Sequence, residues 1–391
     1  MHIQVVIIGA GPAGLILAHL LQQAHVDAIV LEKHSREHVE ARVRAGVLEP
    51  VTVDIMNKLD LSARMHREGL VHGGTNLVVD GAMIHIDIAG LTAGSAIMVY
   101  GQSEVMRDLA EAAHSRGLQT VYEAQDVTIE GLPDEPLIRW TKDGVTQYVR
   151  SDFVAGCDGF HGVSRASIPT PLLRLFERAY PFGWLGVLSD VRPCNEELIY
   201  ANHERGFALA SMRSPARSRY YIQCALDARI ENWPDDRFWD EVSVRLGEAG
   251  AAVTRGPALE KSITPLRSFV CEPMRWGHLF LAGDAAHIVP PAGAKGLNLA
   301  VSDAIYLADA LSRYYKTGCR AGIDLYSQRA LARVWQAERF SWWFTRLTHR
   351  FPDMDAFDRK IQIAELDYIR TSRAAQTALA ENYVGLPMSV N

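Results

Sequence analysis

The 391-residue chain has few of the features that define small secreted proteins or nucleic-acid-binding proteins. Its five cysteines, at positions 157, 194, 224, 271 and 319, are odd in number and widely spaced, and they include no C-x-x-C pair. This pattern favours neither a disulfide framework nor a zinc site, and a reducing cytoplasm is the simplest compartment for it. The formal net charge of −6 argues against nucleic acid as a partner, because general nucleic-acid binders carry a strongly basic face.

Long apolar runs are also scarce. Residues 5–21 form the most apolar stretch, but glycines interrupt it and no basic segment precedes it, as a secretory signal would require. No other segment approaches the roughly 20 apolar residues of a membrane span. The hydrophobic content of 48% and the chain length instead predict a globular protein with two or more lobes and no membrane association.

The apolar N-terminal stretch has the pattern of a nucleotide-binding motif. Residues 3–8 (IQVVII) predict a strand buried in a parallel sheet, and residues 9–14 (GAGPAG) follow it directly. A helical segment over 15–23 and a second strand over 28–32 come next. Strand, glycines, helix and second strand together predict a Rossmann-type dinucleotide fold, whereas the glycines alone are weak evidence.

Each marked residue of this motif has a physical role. Gly9 allows a tight turn, Gly11 lets a pyrophosphate approach the backbone, and Gly14 lets the helix pack closely on the strand. The start of the helix offers free N–H groups to the phosphates. Glu32, at the end of the second strand, is placed to accept hydrogen bonds from ribose hydroxyls.

Two later segments distinguish FAD from NAD as the bound dinucleotide. One is residues 156–159 (GCDG), which contains Asp158. In the other, a buried apolar strand runs into Asp284 and then into a turn and a long helix that starts near Gly296. An aspartate at a strand end can bind a ribityl hydroxyl, and a helix start can face an electron-rich flavin carbonyl.

Both segments resemble those of the flavoprotein aromatic hydroxylases, in which they contact FAD. Within that family the whole chain is similar to the class A hydroxylases that act on hydroxybenzoates. The stretches that carry the resemblance are residues 44–49 (RAGVLE), 157–162 (CDGFHG), 197–203 (ELIYANH), 337–343 (AERFSWW) and 381–387 (ENYVGLP). The resemblance implies an enzyme that converts 4-hydroxybenzoate to 3,4-dihydroxybenzoate with NADPH and O₂, through a flavin hydroperoxide.

The predicted fold class is mixed α/β, with a Rossmann-like FAD-binding domain, an inserted antiparallel β-sheet substrate domain and a helical C-terminal region. The FAD-binding domain is predicted over 1–73, 98–179 and 267–319, and the substrate domain over 74–97 and 180–266. The helical region is predicted over 320–391. The resemblance implies a homodimer, with this last region as its interface.

The predicted substrate pocket contains polar side chains on neighbouring strands. Ser211 and Arg213 fall on one face of a strand, and Arg219 and Tyr221 lie on the next strand. A guanidinium is suited to capturing a carboxylate, although the pattern alone also fits the polar outer face of a sheet. The resemblance implies that Ser211, Arg213 and Tyr221 hold the substrate carboxylate and that the Pro291 carbonyl faces the substrate.

The opposite end of the substrate is predicted to meet a proton relay. The resemblance pairs Tyr200 with Tyr383, Tyr200 also contacting the substrate, and makes His72 the outer member. The chemistry supports such a relay, because a phenolate activates its ring where a phenol does not. An imidazole can release the proton near neutral pH. The catalytic residues implied are therefore Tyr200, Tyr383, His72 and Pro291.

The reductant and cofactor sites complete the prediction. The chain has no second G-x-G-x-x-G, so NADPH must bind outside a standard nucleotide fold, and the basic segment 33–44 after Glu32 is the candidate. The alternative for this segment is a solvated helix face. NADPH is favoured over NADH because cations there would attract a 2′-phosphate. The predicted NADPH-binding residues are Lys33, Arg36, His38, Arg42, Arg44, Phe160, His161 and Arg267.

The predicted FAD-binding residues are Gly9, Gly11, Gly14, Glu32, Arg42, Arg44, Gln102, Asp158, Arg219, Asp284, Gly296, Leu297 and Asn298.

Three other functions remain open at the level of sequence. The nearest is hydroxylation of another aromatic acid such as 3-hydroxybenzoate, which only the details of the pocket distinguish. A flavin disulfide reductase would need a redox cysteine pair and a second nucleotide fingerprint, and the sequence has neither. A non-catalytic FAD-binding module would have no reason to keep polar groups such as Arg213 and Tyr200 in its pocket. No metal is required, and the sequence has no credible ligand cluster.

Overall fold

The computed structural model of the protein describes residues 2–41 and 46–388. Arg42 and Arg44, predicted to bind FAD and NADPH, therefore lie outside the described residues.

The described residues form mixed helices and strands, as predicted. The strands are β1 (His2–Ile8), β2 (Ala28–Leu31), β3 (Val47–Leu48), β4 (Leu70–His72), β5 (Thr75–Val79), β6 (Ala82–Ile86), β7 (Ile97–Val99), β8 (Gln119–Val121), β9 (Gln125–Glu130), β10 (Leu137–Lys142), β11 (Val145–Gly156), β12 (Arg174–Ser189), β13 (Ile199–Asn202), β14 (Ala208–Ser214), β15 (Arg217–Cys224), β16 (Glu260–Glu272), β17 (Arg275–Trp276), β18 (Leu279–Leu281) and β19 (His287–Ile288). The helices are α1 (Pro12–Gln23), α2 (Arg36–Ala41), α3 (Pro50–Lys58), α4 (Ala63–Glu68), α5 (Ile88–Leu91), α6 (Gln102–Ser115), α7 (Val163–Ala166), α8 (Asp235–Arg245), α9 (Gly296–Thr317), α10 (Ala321–Thr348), α11 (Ala356–Thr371) and α12 (Arg373–Val384).

The first sheet is the predicted nucleotide-binding sheet. Its strand order is β17-β18-β11-β1-β2-β8. In addition, β10 pairs with the N-terminal half of β11, and β9 pairs with β10. The pairs β1–β2, β1–β11, β11–β18 and β2–β8 are parallel. Ile8, the last residue of β1, is in register with Leu31 and Gly156 at the ends of the neighbouring strands. The loops that follow these strands therefore meet at one edge of the sheet, where α/β proteins bind ligands.

The second sheet has the order β19-β16-β12-β15-β14-β13-β5-β6. All of its pairs are antiparallel except β13 with β5, which are parallel. This pairing corrects the prediction of an antiparallel sheet, since residue alternation determines the face of each side chain but not the direction of the neighbouring strand. Strands β12 and β16 run through residues 180 and 267, so the sheet continues past the predicted domain boundaries.

The two faces of the second sheet bury different side chains. On one face Leu77, Tyr200 and Leu209 pack against aromatic residues of α10 and α12, such as Phe344 and Tyr383. On the other face the alternate positions pack against α8, through Phe238 and Trp239. The sheet is thus covered on both sides. The face that packs against α10 and α12 carries the predicted substrate residues Tyr200 and Tyr221. Helix α8 was not among the predicted elements.

A separate apolar core surrounds the first sheet and includes α1, α9 and part of α10. A small third sheet, with order β3-β7-β4, contains His72 at the end of β4. Within the described residues, no helix combines the length and the apolar character needed to cross a membrane.

Candidate active site

The predicted FAD-binding residues of the first sheet meet at its carboxyl edge. Gly9 follows β1, Glu32 follows β2, Asp158 lies just beyond β11 and Asp284 just beyond β18. The strand ends are in register, as shown by the pairs Ile8–Leu31 and Gly156–Leu281. The structure therefore brings these four residues, far apart in sequence, to one edge.

The glycines of the first loop fit their predicted roles. Gly9 has φ +105°, and a Cβ there would clash with the Cys157 carbonyl. A Cβ on Gly14 would clash with the Gly9 carbonyl, so α1 packs on β1 only without a side chain at that position. Gly11 is different, because its φ is −73° and its Cβ would meet no atom within 4 Å. Gly11 faces open space beside the start of α1, where a pyrophosphate would fit.

Glu32 is buried at the end of β2. Its Oε2 accepts a hydrogen bond from the Ala10 N–H at 2.8 Å, and its Oε1 accepts one from the His34 N–H at 2.9 Å. Each carboxylate oxygen can accept a second bond. Glu32 thus links the glycine loop to the start of the basic segment and keeps acceptor capacity for a ribose.

One of the two carboxylate oxygens of Asp158 is hydrogen-bonded within the protein. Its Oδ2 accepts hydrogen bonds from the N–H and the hydroxyl of Ser164, at 2.9 and 3.0 Å. Its Oδ1 is buried and has no partner among the described residues. Burial raises the pKa of this carboxyl, which the bonds from Ser164 oppose. An unpaired acceptor at this edge is consistent with a hydroxyl-bearing ligand.

The second cofactor loop precedes α9. Gly283 has φ +61°, and its N–H donates to Asp303 at 2.9 Å; Asp284 follows it, half-buried. Helix α9 begins at Gly296, and the side chain of Lys295, the residue before it, makes no capping hydrogen bond. The N–H groups of Gly296 and Leu297 lie in this first turn, where helix-start N–H groups attract an acceptor; their contact with a flavin carbonyl stays a prediction.

The Asn298 side chain has partners within the protein. Its Oδ1 accepts from the Glu49 N–H and the Thr52 hydroxyl, and its Nδ2 donates to the carbonyls of Val47 and Ala294. Asn298 thereby joins the start of α9 to the segment around β3. Its predicted contact with FAD stays a prediction.

A buried ion cluster beside the start of α9 escaped the sequence analysis. Lys295 donates to Glu49 at 2.7 Å and to the Tyr383 carbonyl at 2.8 Å, and Arg333 contacts the other oxygen of Glu49 at 3.4 Å. Burial lowers the pKa of Lys295, and Glu49 opposes this effect. The cluster fixes α9, β3 and the end of α12 to one another. Its only signal in the sequence was a lysine between Gly293 and Gly296.

The predicted substrate residues occupy two adjacent rows across the second sheet. Tyr200 is in register with Leu209, and Leu209 with Tyr221, which places the two tyrosines on one face. In the next row Ser211 is in register with Arg219. A Cβ on Gly186 would lie 2.8 Å from the Tyr221 ring, so the glycine on β12 leaves room for that ring.

The two arginines of this face differ in their partners. Arg219, predicted to bind FAD, is buried and pairs with Glu260 at 3.0 Å, and its Nε and Nη1 have no partner among the described residues. Arg213, within the described part of the chain, donates to uncharged groups, the Met212 carbonyl at 2.9 Å and the Ser211 hydroxyl at 3.5 Å. Burial lowers the pKa of Arg213, and Tyr221 partly offsets this effect. An anion beside Arg213 would compensate its buried charge.

Tyr200 and Tyr383 come together as predicted. Their hydroxyl oxygens lie 2.8 Å apart, and both side chains are buried. Burial raises the pKa of Tyr200 well above its usual value, and it raises the pKa of Tyr383 to about 12. Both phenols are therefore neutral at neutral pH, which suits exchange of protons along hydrogen bonds.

His72 and Pro291 complete the predicted catalytic set. His72 is only 2% exposed, and burial lowers its pKa. Pro291 begins a single helical turn whose next residue, Ala292, packs in the same apolar cluster as Tyr200. The Pro291 carbonyl accepts a bond from the Ala294 N–H at 3.0 Å and retains a second lone pair.

The predicted reductant residues fall into two groups. Arg267 lies over the Phe160 ring at 4.8 Å, and His161 meets the edge of the same ring. In the basic segment, Arg36 pairs with Glu40 on α2, and the rings of His34 and His38 stack at 4.1 Å. Lys33 is exposed. Gln102 starts α6 beside Gly46, the first described residue after this segment.

The open space at Gly11, the Asp158 oxygen without a partner among the described residues and the start of α9 fit a bound FAD. On the second sheet, Tyr200 meets Tyr383 of α12, and Arg213 contacts Ser211. Fold and site together define the class of FAD-dependent monooxygenases.

The chain belongs to the FAD binding domain family, whose sequence profile matches residues 2–341. It is 52% identical over 391 residues to the p-hydroxybenzoate hydroxylase of Acinetobacter baylyi, covering 100% of this chain and 97% of that protein. It is 26% identical to a 4-methyl-5-nitrocatechol 5-monooxygenase from a Burkholderia species, covering 90% of this chain and 69% of that protein. Among solved structures, p-nitrophenol 4-monooxygenase from Pseudomonas putida matches with a TM-score of 0.83 at 20% identity, over 99% of both chains. The predictions of the α/β fold and of FAD as cofactor are thus confirmed.

Proposed function

We propose that the protein hydroxylates 4-hydroxybenzoate at the 3-position, forming 3,4-dihydroxybenzoate with NADPH and O₂. The observation that carries this proposal is the pair of rows on the second sheet, one with Tyr200 and Tyr221 and the next with Ser211, whose hydroxyl Arg213 contacts. The 52% identity to a p-hydroxybenzoate hydroxylase supports the same substrate. When bound, FAD supplies the reduced flavin chemistry that activates O₂.

The carboxylate end of the substrate is assigned to Arg213, Ser211 and Tyr221. Arg213 is half-buried and, among the described residues, donates hydrogen bonds to uncharged groups, so a substrate carboxylate would give it a directly bonded opposite charge. The Ser211 hydroxyl donates to the Arg219 carbonyl at 2.8 Å, and it would bind the carboxylate by turning this hydrogen toward it, since a carboxylate only accepts. Arg213 therefore sets the orientation of the ring relative to the Pro291 turn.

The phenol end is assigned to Tyr200. Since Tyr200 and Tyr383 both stay protonated in their buried site, Tyr200 can accept the substrate proton only as it donates its own to Tyr383. His72 is the next acceptor, because its lowered pKa keeps the imidazole neutral at neutral pH. The residues thus generate a phenolate in a pocket that excludes water.

NADPH is assigned to the surface segment that follows Glu32, with Lys33, Arg36, His38, Arg42 and Arg44, and to the group of Phe160, His161 and Arg267. An exposed cation such as Lys33 can meet a 2′-phosphate. The aromatic and basic group near Phe160 offers a face for the nicotinamide end.

The decisive experiment is NADPH oxidation by the FAD-loaded protein with and without 4-hydroxybenzoate, followed by identification of the product. We expect substrate-stimulated oxidation and 3,4-dihydroxybenzoate. Arg213→Ala should weaken the affinity for 4-hydroxybenzoate by at least about tenfold, since it removes a charge-assisted bond. An unchanged affinity would exclude Arg213 from the site, and turnover of 3-hydroxybenzoate alone would assign the protein to the neighbouring activity.

The matched test for the reductant compares NADPH with NADH in wild type, Lys33→Ala and Arg267→Ala. Loss of the NADPH preference in Lys33→Ala supports the phosphate assignment. Equal KM values for NADPH in all three proteins would contradict it.

We further infer that the protein is cytoplasmic and forms a homodimer through residues 320–391. Exposed apolar side chains of that region, among them Trp335, Trp342 and Phe357, support the interface. The division into an FAD-binding domain and a substrate domain is retained as a proposal. The packing of the second sheet against α8 on one face and α10 on the other supports it.

A further inference from the structure

The proposed relay ends at a histidine that has little access to water. His72 is 2% exposed, and neither ring nitrogen has a partner among the described residues. A proton that reaches His72 must therefore leave through another group or through enclosed water.

The charge of Glu197 acts on this histidine, and His85 is the partner of Glu197. Their side chains form a hydrogen-bonded pair, with Glu197 Oε2 and His85 Nε2 2.9 Å apart. The His85 side chain is 55% exposed and that of Glu197 only 21%, so the pair runs from the protein surface inward. The negative charge of Glu197 opposes the lowering of the His72 pKa by burial, and it adds to the rise in the Tyr383 pKa.

Gly74 allows the pair to sit this close to the relay. It lies two residues from His72, and a Cβ at Gly74 would be 2.7 Å from Glu197 Oε2 and would also clash with His85 Nε2. The next residue, Thr75, is in hydrogen-bonding reach of the Tyr383 hydroxyl. One short segment, residues 72–75, thus touches the inner relay on one side and the Glu197–His85 pair on the other.

We propose that Glu197 and His85 form the outer end of the proton path, Glu197 as the carboxylate that receives the proton from His72 and His85 as the imidazole that passes it to solvent. Among the described residues, Glu197 bonds His85 on β6, and its charge acts on His72 on β4 and Tyr383 on α12. The uncharged side chain of Asn195 donates a hydrogen bond from its Nδ2 to the backbone carbonyl of Glu197, at 2.9 Å.

The proton balance of this path is simple. The substrate O–H bond breaks as Tyr200 takes the proton and gives its own to Tyr383, and Tyr383 gives its proton to His72. His72 then returns to the neutral form by losing one proton toward Glu197, and His85 releases one proton to water or buffer. Every protein group ends as it began, and one proton leaves for each phenolate formed. This inference rests on the proposed function, because it needs a phenol that ionises in the site.

The test follows ionisation of bound 4-hydroxybenzoate in the FAD-loaded enzyme without NADPH, by the absorbance change from phenol to phenolate after a pH jump. The variants are Glu197→Gln and His85→Gln. His2→Gln is the matched control, because His2 forms a pair of the same kind with Asp152, also at 2.9 Å, far from the site.

We expect both relay variants to slow proton release by about tenfold or more at low buffer, below the range of about 100- to 10,000-fold for a group in the chemical step. Added imidazole buffer should restore the rate in His85→Gln, and His2→Gln should behave as wild type. Rates in Glu197→Gln and His85→Gln equal to that of His2→Gln would overturn the proposal, as would slowing that buffer does not relieve in His85→Gln.

Tyr200→Phe separates the failure of this inference from failure of the proposed function. If the bound substrate ionises as fast in Tyr200→Phe as in wild type, the proposed relay through Tyr200 is contradicted, and the proposed exit through Glu197 and His85 is contradicted as well. If Tyr200→Phe is slow while Glu197→Gln and His85→Gln are normal, the relay stands and only the exit is wrong.

Discussion

Glu338 shows how much a single buried side chain can contribute to the pH response of the protein. It lies on α10 with 5% of its surface exposed, and its Oε2 accepts a bond from the Ser268 hydroxyl at 2.9 Å. Its Oε1 is buried without a partner among the described residues. Burial raises the pKa of Glu338 to about 7, and the bond from Ser268 and the charge of His287 oppose that rise.

The raised pKa predicts that Glu338 makes folding less favourable as the pH rises. Between about pH 4.5, where the unfolded carboxyl ionises, and about pH 7, the folded protein holds a proton that the unfolded chain has released. The contribution is fully present below that range and is lost across it, by about 3 kcal/mol in total. Glu338→Gln removes this titration and keeps an acceptor for Ser268.

Urea unfolding of the FAD-loaded protein at several pH values measures this effect. The free energy of unfolding of Glu338→Gln should exceed that of wild type at pH 7.5 by more than it does at pH 4.5. Glu365→Gln, on α11, is the control for the removal of one carboxyl group elsewhere in the protein. Parallel pH profiles for Glu338→Gln and wild type would show that the buried carboxyl does not titrate in this range.

The residues that the sequence predicted and those that it missed differ in a physical way. Gly9 and Glu32 were predicted because a local pattern demands them, and Tyr200 and Arg213 because a family resemblance marks them. Lys295 and Glu49 lie 246 positions apart, and no local pattern links a lysine in one loop to a glutamate in another. Glu338 has the same difficulty, since its pKa depends on burial that only the folded chain creates.

At the scale of elements, the turn between β1 and α1 separates two kinds of glycine. A side chain at Gly14 would clash with the Gly9 carbonyl and push α1 away from β1, whereas a methyl group at Gly11 meets nothing within 4 Å of it. The space at Gly11 is therefore available to a ligand rather than filled by the protein.

Gly11→Ala should consequently weaken FAD binding, whereas Gly14→Ala should lower the stability of the fold. We expect Gly11→Ala to fold like wild type without FAD but to bind FAD at least about tenfold more weakly, because a Cβ occupies the pyrophosphate position. Gly14→Ala should lose stability in the FAD-free protein, by about 1–3 kcal/mol, as overpacked sites do. Unfolding of the FAD-free proteins and fluorescence titration with FAD measure the two effects; equal FAD affinity in Gly11→Ala and wild type would exclude a phosphate at that position.

Element boundaries in the first sheet were predictable because β-branched runs and glycines define them closely, as for β1 and α1. The second sheet was harder. The alternation in residues 74–97 predicted β5 and β6, but the parallel pairing of β5 with β13 depends on a contact between residues more than 100 positions apart. Helix α8 was missed because its apolar residues Phe238, Trp239 and Val242 find their partners on the second sheet only in the folded chain.

At the scale of the whole molecule, the C-terminal helices have two tasks. Their inner faces cover the second sheet, where Phe340, Phe344 and Tyr383 are buried. Their outer faces still expose large apolar side chains. Phe357, Ile361 and Tyr368 on α11 are 71%, 55% and 54% exposed and fall on one side of the helix, by their spacing of four and seven residues. A monomer would leave this stripe in water, which favours the proposed homodimer.

The double variant Phe357→Arg with Ile361→Arg should therefore shift the protein from dimer to monomer, because two cations on each subunit would face a desolvated, like-charged partner surface. Light scattering after size-exclusion chromatography gives the mass directly, and we expect about half the wild-type value at micromolar concentration.

The control is Val145→Arg with Tyr148→Arg, which places the same charges on exposed apolar positions of β11, and it should remain dimeric. FAD content should stay at the wild-type level in both, because neither pair contacts the carboxyl edge of the first sheet. A dimeric α11 variant would exclude this stripe from the interface, and a monomeric wild type would exclude the homodimer itself.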